Sequence, residues 1–66
     1  MSPNELIAVV RVADSAAKAR AAQRRYFATR DKRDLVAAKS AESALDHDLA
    51  TLDAVRRAES AALLPL

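Results

Sequence analysis

The sequence predicts an all-α protein: an antiparallel hairpin of two helices that self-associates into a four-helix bundle or a larger oligomer. Three observations carry this. No glycine or proline lies between Asn4 and Leu64, and both prolines, Pro3 and Pro65, sit at the ends. Those residue types are the strongest local breakers of regular structure, and the stretch between them is rich in helix-favouring Ala, Leu, Arg, Lys and Glu. A single polar run, Thr29-Arg30-Asp31-Lys32-Arg33-Asp34, interrupts the apolar pattern. Charge changes sign across it: residues 18–33 hold seven cations and one acid, residues 34–53 five acids and one cation.

The first helix is expected over residues 3–29. Ser2 is a good N-cap, Pro3 suits the first helical position, and Glu5, three residues after Ser2, completes a capping box. Leu6, Val9, Val10, Ala13, Ala16, Ala17 and Phe27 gather on one broad face, while Arg11, Asp14, Ser15, Lys18, Arg25 and Thr29 gather on the other. The turn is placed at 30–31. The second helix is expected over residues 32–63, with Asp31 as its cap and Asp34 in its first turn. Leu35, Ala38, Leu45, Leu49, Leu52 and Leu63 recur along it at threes and fours, and Pro65 closes it near Leu64. The competing architecture is one unbroken helix of roughly 90 Å, usable only in a long coiled coil. The missing glycine at the turn favours that rod. The charge pattern favours the hairpin.

Folding the chain back near residue 30 sets side by side residues whose numbers sum to about 61. Phe27 then meets Leu35, Ala16 meets Leu45, Val12 and Ala13 meet Leu49, and Val9 meets Leu52. Glu5 approaches Arg56, and Arg20 and Arg24 flank Glu42 with Asp46 close by. Like-charged i,i+4 pairs within each helix are mildly destabilising alone and compensate when set against each other. Ile7, Tyr26, Val36, Ala50, Ala54 and Ala61 fall off this seam, and Leu63, Leu64 and Leu66 overhang it. Ile7, Val36, Leu63, Leu64 and Leu66 are therefore the expected oligomer contacts, because exposed apolar patches mark association surfaces.

Composition limits the chemistry. Sixty-six residues make one small domain, and small scaffolds without disulfide or metal usually need self-association. With no cysteine there is neither a disulfide framework nor a thiolate metal site. The hydrophobic fraction of 52% is mostly alanine, with only Tyr26 and Phe27 as aromatics. Charges recur too often for a membrane span, and the start has no positive n-region, so a soluble cytoplasmic protein is expected. His47 lies between Asp46 and Asp48, but adjacent helical residues diverge and cannot share one metal. Ser40 and Ser43 have no positioned base or oxyanion site. No cofactor, no metal and no enzymatic activity are expected.

The candidate partner-binding residues are Arg24, Arg25, Tyr26, Arg30, Lys32 and Arg33 at the turn end. They suit an acidic protein surface, or phosphates. A purely structural account competes: cations late in the first helix and anions early in the second complement both dipoles and pair across the hairpin. Tyr26-Phe27 reads as a packing plug. The expected function is a non-enzymatic interaction protein that binds another protein. The alternatives are a nucleic-acid-binding accessory protein using Arg24, Arg25, Arg30, Lys32 and Arg33, and a structural assembly subunit.

The segment Gln23-Arg24-Arg25-Tyr26-Phe27-Ala28-Thr29-Arg30-Asp31, followed by Leu35, Lys39, Glu42 and Asp46, resembles small helical-hairpin proteins encoded by phages and mobile elements. In these a Q-x-x-Y-F segment precedes a short polar turn and an L-x-x-x-K-x-x-E-x-x-x-D helix. The resemblance implies a helical hairpin in a phage or prophage setting. It also implies action by binding, in some cases inhibition of host defence, and it names no target.

Overall fold

A computed structural model describes the backbone over residues 1–63 and the side chains over residues 1–62. Two helices, α1 (Pro3–Thr29) and α2 (Lys32–Leu63), pack against each other as an antiparallel hairpin. The molecule measures 55 × 15 × 11 Å, so the single long rod does not form. Its radius of gyration, 15.6 Å, exceeds the roughly 11 Å of a compact domain this size. Leu64, Pro65 and Leu66 and the Leu63 side chain lie outside the described residues, and with them the expected overhang and the Pro65 stop.

Local chemistry explains both ends of α1. Ser2 is extended (φ −72°, ψ 161°), and its Oγ accepts the Glu5 N–H at 3.1 Å. The reciprocal half of the expected capping box is replaced. Glu5 reaches across the hairpin to Arg56 Nε at 3.0 Å, and the Ser2 hydroxyl donates to the Glu59 carboxylate. At the other end Arg30 adopts the left-handed conformation (φ 55°, ψ 22°), a position glycine usually takes. Its N–H closes the last turn on Tyr26 O at 2.7 Å. Asp31 starts α2 by accepting the Arg33 N–H on Oδ1 at 2.8 Å. Thr29 ties the turn together: its hydroxyl accepts the Asp31 N–H at 3.2 Å and meets the Asp34 carboxylate.

The seam differs from the expected stripe. Buried and half-buried positions on α1 are Glu5, Ala8, Val12, Ser15, Ala19, Ala22 and Tyr26, with Val9 and Ala16 beside them. On α2 they are Asp34, Ala38, Ala41, Leu45, Asp48, Leu52, Val55 and Glu59, with Leu35 and Thr51 beside them. Both lines alternate threes and fours, which keeps one edge facing a partner helix. Leu6, Val10 and Phe27 are 53%, 58% and 63% exposed, and Ala13 and Ala17 are also exposed. Ser15, expected on the polar face, is only 9% exposed, and its hydroxyl donates to Asp48. Leu49, expected opposite Val12 and Ala13, stands 45% exposed. Tyr26, expected off the seam, is half-buried in it. The reason is close approach: Ala8, Ala19 and Ala38 let the backbones converge, and Leu52 fills the space between.

This interior is thin. Among the described residues the buried apolar side chains are three alanines and Leu52. The chain exposes 5257 Å², whereas a compact protein of 7.1 kDa exposes about 4,100 Å².

Candidate functional site

The turn end gathers charge around two aromatic rings. Tyr26 and Phe27 end α1 with ring centroids 5.8 Å apart and planes tilted by 53°. Left-handed Arg30 folds its guanidinium back over both, 5.2 Å from the Phe27 centroid and 5.7 Å from that of Tyr26. The ring quadrupole attracts the cation at that range. Tyr26 alone plugs the seam; Phe27 stays largely outside as a platform for Arg30, which corrects the expectation of a joint Tyr26-Phe27 plug.

The six expected partner-binding residues do not form one cluster. Tyr26 and Arg30 are stacked. Arg24 lines a shallow groove with Arg20, Gln23, Phe27 and Glu42, while Arg25 lines a different groove with Lys18, Asp34 and Ala37. Lys32 and Arg33 stand exposed in the first turn of α2. The useful neighbours missed from the sequence are Phe27 and Arg20. Their signal was the spacing Arg20–Arg24–Phe27, which sets all three on one flank.

The expected compensation is met in placement only: Arg20, Arg24 and Glu42 line one groove, but no ion pair joins them among the described residues. Among the described residues the ion pairs are Lys18–Asp14 at 2.9 Å, Arg57–Asp53 at 2.8 Å and Glu5–Arg56 at 3.0 Å. Only Glu5–Arg56 crosses the hairpin. Glu42, expected between Arg20 and Arg24, accepts instead from Gln23 Nε2 at 2.5 Å. Lys18 alone of the basic segment has an ion-pair partner, and its hydrogen bond to Asp14 and the charge of that carboxylate raise its pKa. Arg20, Arg24, Arg25, Arg30, Lys32 and Arg33 have no such partner among the described residues. The α1 dipole favours Arg30 at its C-cap but does not account for the others. The last turn of α1 carries no basic residue, and Lys32 and Arg33 sit at the start of α2, where cations oppose the dipole by about 0.3–1 kcal/mol each.

His47, Ser40 and Ser43 are exposed on α2. Among the described residues no three His, Asp or Glu side chains converge to hold a metal ion. No described helix is long and apolar enough to cross a membrane. No family model, no curated protein and no solved structure matches the chain.

Proposed function

We propose that this protein acts by contact and not by catalysis: a self-associating, coiled-coil-like hairpin whose cationic turn docks on an acidic surface of another protein. One observation carries this reading. Among the described residues six cations, from Arg20 to Arg33, have no ion-pair partner, several of them at positions that local energetics disfavour. Departures from local rules without internal compensation are characteristic of binding sites. Arg30 already covers one face of each ring, which favours a protein surface over stacked bases. The likeness of Gln23–Asp31 to phage-encoded hairpins supplies a setting, the cytoplasm of a host cell, where the docked protein is a host factor that the contact inhibits.

The test is a titration of two labelled anionic probes at 150 mM salt, an acidic helical peptide and a mixed-sequence DNA duplex. The peptide is expected to bind, to weaken by about tenfold or more when salt is doubled, and to be lost on replacing Arg25, Arg30 and Arg33 together by Glu. Tighter binding of the duplex, with a steep salt slope, would replace this reading with the nucleic-acid one. Failure of both probes to bind would remove the turn as a site.

A further inference from the structure

The outer face of α1 carries a second apolar line that the hairpin itself does not use. Leu6, Val10, Ala13 and Ala17 follow one another at spacings of four, three and four, and all four are exposed. The same line continues as Arg20, Arg24 and Phe27, so its apolar half ends where the cations begin. Val9 borders it, while Leu49 of α2 lies on the edge that flanks the seam, with Glu42 and Arg56, and is not part of the line.

We infer that a second copy of this chain covers the patch formed by Leu6, Val9, Val10, Ala13 and Ala17, antiparallel to the first and related to it by a two-fold axis passing between Val10 and Ala13. This deepens the self-association in the proposed function and is independent of what the turn binds. Three features choose this occupant. The first is area: the chain exposes roughly 1,200 Å² more than a compact protein of its mass, and a standard interface covers about 800 Å² on each partner. The second is shape. The axis sets Leu6 against the partner's Ala17 and Val10 against the partner's Ala13, large against small in each case, which lets facing layers interdigitate. The third is charge. A parallel pair would stack Arg20 and Arg24 on their own copies. The antiparallel pair holds the two copies of Arg20 about 25 Å apart and leaves both cationic turns outside the contact. Ile7 and Val36, the described members of the contact set expected from sequence, do not share this face. They sit near opposite ends of the hairpin, about 30 Å apart along its axis.

The chain has no cysteine, so single-cysteine variants report the geometry cleanly. Sedimentation should give twice the chain mass, and Val10→Glu should weaken the dimer by about 100-fold or more. Ala13→Cys should oxidise to a disulfide-linked dimer, because the axis brings both copies within bonding distance. Phe27→Cys should not, since the axis holds its copies about 46 Å apart. A dimer in which Phe27→Cys or Val36→Cys links as readily as Ala13→Cys overturns the geometry while preserving self-association. A folded monomer at high concentration, or a species larger than a dimer, overturns the proposal altogether. The acidic-peptide titration above is read separately in each case.

Discussion

Replacing Ser15 by Ala removes the one polar side chain that is buried in the seam among the described residues, and the consequence falls on Asp48. The Ser15 hydroxyl donates to Asp48 Oδ2 across the hairpin, and the carboxylate is itself half-buried. A hydrogen bond to a charged group contributes about 1.5–3 kcal/mol when buried. Partial access of water to Asp48 brings the expected value to about 1–2 kcal/mol. A chain of this length has about 3–10 kcal/mol of stability in total, so the loss is a substantial fraction. Ser15→Ala should therefore cost about 1–2 kcal/mol. Asp48→Ala should cost a similar amount, eased because the freed hydroxyl can bond the carbonyl one turn back. The double variant should cost much less than the sum, leaving a coupling energy of about 1 kcal/mol. The assay is urea unfolding followed by circular dichroism at 222 nm, at one fixed protein concentration because the proposed self-association would shift the midpoint. With a slope near 1 kcal/mol per molar urea, each single variant moves the midpoint by about 1–2 M. Additive losses, with coupling below about 0.3 kcal/mol, would refute the assignment of Ser15–Asp48 as a cross-hairpin bond that matters.

Two further outcomes follow from the fold. Leu52→Ala removes the only large apolar side chain that is buried among the described residues, at 8% exposure. It should cost about 2–4 kcal/mol, visible as partial or complete loss of helical signal at 25 °C. A change below about 1 kcal/mol would mean that the seam is held elsewhere. Arg30→Gly relieves a left-handed residue by about 1 kcal/mol. It also loses the cation–π contacts, about 0.5–1 kcal/mol, and gains unfolded-state freedom of about 0.4–1 kcal/mol. The terms nearly cancel, so the Tm should stay within about 5 °C while acidic-peptide binding weakens. A large rise in Tm would show that the ring contacts contribute nothing.

The hairpin was legible because its signals are local and additive. Sixty-one residues without a breaker leave little but helix, and one polar run with a change of charge sign leaves one place to turn. The long-range pair Glu5–Arg56 was legible for the same reason, since the turn fixes the register. The seam was not. A helix read alone ranks faces by bulk and picks Leu6, Val9 and Val10. The partner instead selects the line of closest approach, through Ala8, Ser15 and Ala19. Nothing on one helix records how near the other comes. The candidate site was half legible. Residue types announced a cationic end, but the unpaired state of Arg20 and Arg24 depends on Gln23 taking Glu42 first, a competition that composition cannot rank.

The cross-hairpin bonds form a ladder whose rungs span steadily longer stretches of chain: 5 residues at Thr29–Asp34, 19 at Gln23–Glu42, 33 at Ser15–Asp48, 51 at Glu5–Arg56 and 57 at Ser2–Glu59. Each rung, once the one before it is made, enlarges the closed loop only slightly and adds little further entropy cost. Such a molecule folds as a zipper from Thr29 outward and frays from Ser2 inward. The cationic turn end is then the first to form and the last to melt.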